Sequence, residues 1–362
     1  MLFLPQPRPN AGKQFIAHQA SRIAFDLGGK LRSDTLFTMR PPGCLMLALI
    51  AATNVWAAFD RPSENERMRA LGNLFEEPDT LRYLLTPNSD FPPIKLPGKR
   101  DWLTLYTEAG QSFEQYCNSG ANRPDPKHRT IYLLPIGEFD EESSPPLEEI
   151  RAYAAAFFQM EVKLLPTYRA NELEFEPREN PRSGQRQLLT KSVMTFLKTR
   201  LPSDAYCLLG MTMTDLYPDH SWNYVFGEAS LDERVGIYSF ARYDPLFWDD
   251  SRGNDYRSVI LQRSCKVLAH ETAHMFGLQH CIYYDCVLNG ANHMNETDAQ
   301  PQQLCPICLR KLQHAIGFDA IKRYQDLAYF YRRQKWIEEH DWVARQLEKV
   351  PKEKSSAPGK NK

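Results

Sequence analysis

Hydrophobic and polar positions alternate with several different periods after residue 129, and these periods predict a series of strands and helices. TIYLLPIG, from Thr130, is almost continuously apolar, which is typical of a buried strand. PLEEIRAYAAAFFQM has helical spacing, EVKLLP predicts a second strand, and QRQLLTKSVMTFLKTRL predicts an amphipathic helix. DAYCLLGMTMTDLYP, WNYVFGEASL and VGIYSFARY predict three more strands. This order predicts an α+β fold, a mixed sheet with helices packed against it.

The regions on either side of this pattern are less regular. A proline-rich stretch precedes residue 101, and the last residues are rich in Lys, Ser and Pro, a composition typical of disorder. We therefore divide the chain into an N-terminal extension without a defined pattern (1–100), a main domain (101–350) with an upper part (about 101–277) and a lower part (about 278–350), and a disordered tail (351–362).

One apolar run stands apart from the periodic region. CLMLALIAATNVWAAF, from Cys44 to Phe59, has about the length of a signal-peptide core and is short for a membrane span. Met39 and Arg40 precede it, as they would in a secretory signal that started there. Because the run is internal, we favour a buried or interfacial helix, with an export or anchor signal and a gene-model artefact as the alternatives.

RSVILQRSCKVLAHETAHMFGL predicts one long helix that carries candidate metal ligands. His270 and His274 are four residues apart, so they project from the same helix face and can bind one zinc ion. Glu271 lies beside them, where its carboxylate can act as general base towards water. Gly277 allows a sharp turn, which can bring His280 back as a third ligand. Three histidines leave one zinc position open, as a catalytic site requires.

Chance is the alternative explanation of this pattern. A bare HExxH occurs by accident in about one chain in a hundred of this length. The glycine and the third histidine at fixed positions lower that chance by a further factor of about several hundred. The chain has only nine histidines, and three of them fall within these eleven positions. The extended motif is that of the metzincin clan of zinc peptidases.

Four of the eight cysteines follow this motif closely. Cys281 comes directly after the third histidine, Cys286 follows after four residues, and Cys305 and Cys308 form a CPIC pair. Two cysteine pairs separated by a loop have the spacing of a closed, structural four-cysteine zinc site in a reducing compartment. Free buried thiols, or a disulfide in an exported protein, are the alternatives. We therefore expect two Zn²⁺ per chain, one catalytic and one structural.

Charge bears on a further interpretation, a zinc knuckle that binds nucleic acid. The formal net charge is −1, and the loop between the cysteine pairs is rich in Asn, Gln and acidic residues. Both observations disfavour contact with phosphates. We expect no nucleic-acid partner, no membrane partner and a monomeric chain. The expected location is cytoplasmic or nuclear, with export as the minor alternative.

The run HETAHMFGLQHCIYYDC…CPICLRKLQ resembles the archaemetzincins, in which a four-cysteine zinc site directly follows the metzincin helix. DLYPDHSWNYVFGEASL and VGIYSFARY are also similar to that family. The resemblance covers about Thr130 to Tyr324. It implies a metzincin-like zincin fold with a helical C-terminal subdomain. It also implies a zinc metallopeptidase with a peptide or unfolded protein as substrate, and aminopeptidase-like cleavage as one form of that activity.

Carried over by position, the resemblance implies one role for each residue of the motif. His270, His274 and His280 would bind the catalytic zinc, and Glu271 would act as general base and acid. Four cysteines would bind the structural zinc: Cys281, Cys286, Cys305 and Cys308. The VGIYSFARY strand is expected at the edge of the cleft, where an extended peptide could pair with its backbone.

One position departs from the family pattern. Leu288 stands where the archaemetzincins have a methionine, and Met294 is nearby but out of register. Leucine nearly conserves the volume and can still form an apolar floor. The departure supports the alternative function, a catalytically weak or inactive metzincin-like scaffold that binds zinc. For the other polar and aromatic residues around the motif we expect structural roles in the core or at its surface: Cys265, Tyr283, Tyr284, His293 and His314.

Overall fold

The computed structural model describes residues 59–169 and 174–351, together with the backbone of one strand, β1 (Phe15–Ala20). The apolar run that begins at Cys44 lies outside the described residues except for Phe59, and so does the predicted tail from residue 352. Among the described helices, none is both long enough and apolar enough to cross a membrane.

A mixed sheet forms the centre of the described structure. Its remaining strands are β2 (Thr130–Ile136), β3 (Glu161–Leu164), β4 (Arg178–Glu179), β5 (Arg186–Leu189), β6 (Ala205–Thr212), β7 (Asp215–Tyr217), β8 (Tyr224–Ser230) and β9 (Val235–Ser239). The order is β3-β2-β6-β9-β8-β7-β5-β4, with β1 paired to β8. Strands β3, β2, β6 and β9 are parallel, whereas β8 is antiparallel to β9, β7 and β1.

Helices cover both faces of the sheet and extend beyond it. They are α1 (Glu64–Leu71), α2 (Asp79–Leu85), α3 (Trp102–Leu105), α4 (Phe113–Cys117), α5 (Leu147–Phe158), α6 (Thr190–Lys198), α7 (Tyr256–Met275), α8 (Met294–Ala299), α9 (Pro306–Ile316), α10 (Ala320–Gln334) and α11 (Ile337–Glu348). Two short 3₁₀ helices, Ala241–Tyr243 and Pro245–Trp248, follow β9. Helices α5 and α7 share one core with the helices that follow, and α6 packs in a smaller core on the opposite face.

The predicted fold class is confirmed, and several elements are corrected. The structure is α+β with a mixed sheet, and the strands predicted from Thr130 onward are present. The segment QRQLL, which we predicted to begin a helix, is strand β5, and the helix starts at Thr190. Its apolar side chains alternate over too few residues to separate a strand from a helix by period alone. The predicted third strand is two strands, β6 and β7.

The position of the VGIYSFARY strand was predicted wrongly. This strand is β9, and it lies inside the sheet between β6 and β8. Strand β8, next to it, pairs with three strands. Val225 pairs with Leu216 of β7 on one side and with Gln19 of β1 on the other, and Ser230 likewise pairs with both β9 and β1. Strands β7 and β9 therefore share one edge of β8, and the backbone of β1 occupies the other.

Residues 59–100, which we assigned to an extension without a defined pattern, carry ordered helices that pack on the lower part of the protein. The Arg310 guanidinium of α9 donates to the Leu71 carbonyl at 2.6 Å and pairs with Glu77 at 2.7 Å. The Gln346 side chain of α11 donates to Asp90 at 2.9 Å. These buried contacts make this stretch part of the same folded body.

Candidate metal and active site

Helix α7 positions the first two candidate ligands, and a glycine turn positions the third. Every residue of α7 from Ser264 to Met275 is buried. After the helix, Gly277 has φ +80°, and its N–H donates to the His274 carbonyl at 2.8 Å. A Cβ on this glycine would lie 2.5 Å from the Cβ of Ala121. Only glycine fits this reversal, which returns the chain towards the helix.

The turn brings three imidazoles together, and each ring is held by its Nδ1 atom. One ligand atom from each of His270, His274 and His280 lies within 4.8 Å of the other two. The Nδ1 hydrogen bonds are from His270 to the Val287 carbonyl (2.8 Å), from His274 to the Leu278 carbonyl (2.6 Å) and from His280 to the Glu108 carboxylate (2.8 Å). We call these three residues the histidine cluster.

Carbonyl and carboxylate oxygens only accept hydrogen bonds, so Nδ1 of each ring carries the proton and Nε2 carries a lone pair. The Nε2 atoms of His270 and His274 are 2.9 Å apart. Two lone pairs at that distance repel each other unless a cation lies between them. Nitrogens bound to one tetrahedral zinc at 2.0–2.1 Å would be about 3.3 Å apart. Burial and the charge of His280 lower the pKa of His274 to about 3, which keeps its ring neutral. The cluster therefore fits a zinc ion.

Glu271 lies beside the histidine cluster and has an unusual environment. It is 2% exposed, and neither carboxylate oxygen has a hydrogen-bond partner among the described residues. Burial, followed by the charge of Glu228, raises the pKa of Glu271 to about 8. The hydroxyls of Tyr238 and Tyr243 are buried close enough for the Glu271 charge to raise their pKa values further, after burial. A buried carboxylate without a protein partner is suited to exchange protons with a bound molecule.

Strand β8 passes directly beside this carboxylate. A Cβ on Gly227 would lie 3.4 Å from Cγ of Glu271 and 3.0 Å from the carbonyl oxygen of Ile237. The absence of a side chain therefore lets the backbone of β8 approach the glutamate.

The second predicted metal site is also assembled. The sulfurs of Cys281, Cys286, Cys305 and Cys308 lie within 4.8 Å of one another, and all four residues are buried. We call these residues the cysteine cluster. The distance from Cys281 Sγ to Cys305 Sγ is 3.6 Å, close to the value of about 3.8 Å for two sulfurs bound to a tetrahedral zinc at about 2.3 Å. The backbone N–H of Cys305 donates to Cys286 Sγ at 3.3 Å, which stabilises a thiolate.

The thiols of the cysteine cluster also affect one another's pKa values. Although burial works against ionisation, the three neighbouring sulfurs hold the pKa of Cys281 well below its usual range. Burial and the neighbouring sulfurs raise the pKa values of Cys286 and Cys305 well above it. A cation bound by all four sulfurs would replace the protons on the other thiols, and none of the described cysteines forms a disulfide.

The two clusters are connected by more than the peptide bond between His280 and Cys281. The carbonyl that accepts from His270 belongs to Val287, the residue after Cys286. The N–H of Cys281 donates to the Leu288 carbonyl at 2.8 Å. The Asn289 side chain closes this loop by donating to the carbonyls of Cys281 and Tyr284 at 2.7 and 3.0 Å. The cysteine loop therefore holds the first residue of the histidine cluster as well as the third.

The structure also places the other residues near the motif for which we expect structural roles. Cys265 is fully buried in the core, and Tyr283 and Tyr284 are buried beside the cysteine cluster. His314 contacts Phe113 and Tyr116 edge-on. His293 begins α8: its Nδ1 accepts from the Glu296 N–H, and its Nε2 bonds to Asp101. Leu288 is fully buried, and Met294 is partly buried.

Sequence reasoning missed two residues of the site, Glu108 and Trp102. The Glu108 carboxylate accepts from His280 and from the indole N–H of Trp102, both at 2.8 Å. Although burial works to raise it, these hydrogen bonds and the His280 charge hold the pKa of Glu108 below its ordinary value. Nothing in the local sequence TEAGQ singles out this glutamate, because its partner is 172 residues away.

Comparison with known proteins agrees with this geometry. Residues 200–314 match a family model described as Peptidase family M54. A carboxylate beside three converging imidazoles, on a helix packed against a mixed sheet, defines the class of protein: a zinc metallopeptidase. The chain is 39% identical over 279 residues to archaemetzincin-2 of Rattus norvegicus, covering 70% of this chain and 76% of the relative. The chain belongs to the archaemetzincin family.

More distant proteins are also similar. Archaemetzincin-1 of Homo sapiens is 34% identical over 254 residues, which cover 63% of this chain and 51% of that protein. Among solved structures, archaemetzincin from Methanopyrus kandleri is 26% identical with a TM-score of 0.41, covering 53% of this chain and 97% of that one. A zinc-dependent peptidase from Methanocorpusculum labreanum is 23% identical, also with a TM-score of 0.41, covering 50% of this chain and 99% of that one.

Proposed function

We propose that the protein hydrolyses peptide bonds with a zinc ion held by His270, His274 and His280, and with Glu271 as general base and acid. The observation that carries the proposal is the convergence of three anchored imidazoles beside a buried carboxylate that has no protein partner among the described residues. When bound, zinc supplies Lewis acidity, which polarises the scissile carbonyl and makes water more acidic.

The remaining chemistry belongs to residues of this chain. Glu271 accepts a proton from the attacking water and passes it to the nitrogen of the leaving amine. Because its oxygens are not engaged by other described protein groups, the carboxylate can change hydrogen-bond partners between the two steps. The hydrogen bonds to Nδ1 keep the three rings in one tautomer and one orientation throughout.

We infer that the cysteine cluster binds a second, structural zinc. Four thiolates fill a tetrahedral coordination sphere and leave no position for a substrate. The role of this site is to fix the loop that carries Val287 and the residue that follows His280. The free cysteines of the described structure support a reducing location, cytoplasmic or nuclear, in which such thiolates remain available to metal.

We infer that an extended peptide pairs with the edge of β8. This strand passes Glu271 at Gly227, and its outer edge already accepts the antiparallel backbone of Phe15–Ala20. Main-chain hydrogen bonds along such an edge bind peptides with little regard to their side chains. A variant that lacks residues 1–20 should therefore bind extended peptides more tightly, seen as a lower KM. An unchanged KM in a variant of normal thermal stability would contradict this mode of binding.

The main test combines metal analysis with hydrolysis of a broad peptide library. Wild type and Glu271→Gln should both contain two zinc ions per chain. The variant should lose about 10²–10⁴ in kcat, because a positioned general base contributes that much. The exposed glutamate Glu114, changed to Gln, is the matched control and should leave both measurements unchanged. Full activity in Glu271→Gln would overturn the catalytic role, and one zinc per chain in the wild type would overturn the two-site proposal.

The alternative function is a zinc-binding scaffold with weak or no catalysis. Two observations favour it: Leu288 replaces the usual methionine, and all three histidines are at most 9% exposed. The scaffold predicts two zinc ions per chain with no hydrolysis of any library peptide. Hydrolysis that depends on Glu271 would exclude it.

A further inference from the structure

The third histidine is held differently from the other two. The Nδ1 atoms of His270 and His274 donate to main-chain carbonyls, which are neutral acceptors. The Nδ1 atom of His280 donates to a carboxylate, that of Glu108. A hydrogen bond to a charged acceptor is roughly twice as strong as one to a neutral acceptor. It also pushes electron density through the ring onto Nε2, the atom that faces the metal position.

The Glu108 carboxylate is itself fixed in place by Trp102. Its Oε1 atom accepts the indole N–H of Trp102 at 2.8 Å. The same indole ring lies edge-on to His280, with ring centroids 5.0 Å apart. Gly290 supports the ring from another side, since a Cβ there would come within 2.4 Å of an indole carbon. The carboxylate, the indole and the imidazole thus form one packed unit.

The chain that follows Glu108 is attached to the turn that carries His280. Gly110 has φ +70°, and a Cβ there would lie 2.7 Å from Ile282 Cγ1. The Gln111 side chain donates to the Gly277 carbonyl at 3.2 Å and accepts from the Gln279 N–H at 3.3 Å. These contacts bind the segment to both sides of the third histidine, so that Glu108 and His280 keep one relative position.

We propose that Glu108 is a positioning residue for the catalytic metal: its carboxylate fixes the tautomer and orientation of His280 and strengthens that ligand. The inference rests on the proposed histidine metal site and deepens it. Loss of a carboxylate that orients a metal-bound histidine typically lowers metal affinity by about 10–100-fold. The segment between β1 and β2, which carries Glu108, is then part of the metal centre.

The test measures zinc affinity by competition with a chelator, with the metal of the cysteine cluster counted separately. Glu108→Ala should bind zinc at the histidine cluster about 10–100-fold more weakly and keep the metal of the cysteine cluster. Glu108→Gln keeps a hydrogen-bond acceptor but loses the charge, so its affinity should fall by about tenfold, the lower end of that range. Glu114→Ala, at an exposed position of α4, is the control and should bind zinc like the wild type. Cobalt substituted for zinc should give a shifted visible spectrum in Glu108→Ala.

The outcomes separate this inference from the proposed function. Wild-type zinc affinity and an unshifted cobalt spectrum in both Glu108 variants would overturn the positioning role while leaving the metal site intact. A wild-type chain that binds metal only at the cysteine cluster would overturn the proposed function itself. If Glu108→Ala fails to fold, the isosteric Glu108→Gln decides: a purely structural glutamate would change its thermal stability and leave zinc affinity unchanged.

Discussion

The histidine cluster and the cysteine cluster meet at one peptide bond, yet their surroundings differ. The cysteine cluster is supported by its own loop: the Asn289 side chain and the Cys305 N–H close it from within residues 281–308. The side chains of the histidine cluster are held by residues from distant parts of the chain. These are Glu108, which precedes β2, and Val287, which follows α7. The histidine cluster also has beside it a carboxylate that no described residue satisfies. The cysteine cluster is thus local and closed, whereas the histidine cluster lies next to a buried polar group that could interact with a bound molecule.

Because of this difference, we expect the largest effect on stability and metal content when the cysteine cluster is disrupted. Cys305→Ala should lose the metal of that cluster and much of the stability of the lower part, because structural zinc contributes about 10–16 kcal/mol in small zinc domains. Zinc affinity at the histidine cluster should fall as well, since Val287 and His280 lose their anchors. The measurements are metal content and thermal unfolding.

Cys117→Ser is the matched control for that experiment. This half-buried thiol lies outside the cysteine cluster, so its replacement should leave metal content unchanged. A Cys305→Ala protein that keeps two zinc ions would contradict the separation of the chain into two metal sites.

Metal removal should also distinguish the clusters. Three neutral imidazoles bind zinc less strongly than four thiolates in a closed site, so a mild chelator should empty the histidine cluster first. Peptide hydrolysis should then stop while the circular dichroism spectrum stays unchanged, and added zinc should restore activity. Unfolding that accompanies the first loss of activity would show that the clusters act as one.

A smaller effect is expected for substitution of Gly227, which lies next to Glu271 and away from the cysteine cluster. In Gly227→Ala the new Cβ meets Cγ of Glu271 and the carbonyl oxygen of Ile237, so the glutamate or the strand must shift. Because the contacts require a shift of only a few tenths of an ångström, the loss in kcat should be smaller than the factor of about 10² that a displacement of about 1 Å can cost. Zinc content should stay at the wild-type value.

Gly236→Ala is the control, because it is as crowded but contacts Ala229 and Leu209 rather than the glutamate. It should lower thermal stability and leave kcat per folded molecule unchanged. Equal kcat losses in the two variants would mean that the sheet, and not Glu271, is responsible.

The smallest effect is expected at Leu288, the position that departs from the family pattern. Leu288→Met nearly conserves volume in a fully buried site, so stability should change by less than about 1.5 kcal/mol. Peptide hydrolysis should remain close to that of the wild type. A large gain in kcat would assign this position to the histidine cluster, and would support the view that the natural leucine weakens catalysis.

The same contrast explains which parts of the site the sequence could predict. His270, Glu271 and His274 lie within one helical turn and a half, and the four cysteines form two short pairs, so spacing alone brings their side chains together. Glu108 and Trp102 reach the site only through the tertiary fold. No local period or pair spacing marks them, and a long-range hydrogen bond leaves no trace in one sequence.

The sheet follows this rule as well. Strands with long apolar runs, such as β2 and β6, were predicted because all their residues are buried. Strand β5 was missed because its four residues lead directly into α6. The hydrophobic pattern could not predict which strands lie next to each other in the sheet. β9 looks no different from an edge strand in sequence, and only the pairing of β6 and β8 to its two sides fixes its place.

The hydrogen bond from His270 to the Val287 carbonyl links the orientation of a candidate metal ligand to a loop that follows it in the chain. The loop from Cys281 to Leu288 positions that carbonyl, so any change that opens the loop also removes the acceptor that orients His270. One hydrogen bond thus makes the orientation of the first candidate ligand conditional on the closure of a neighbouring loop.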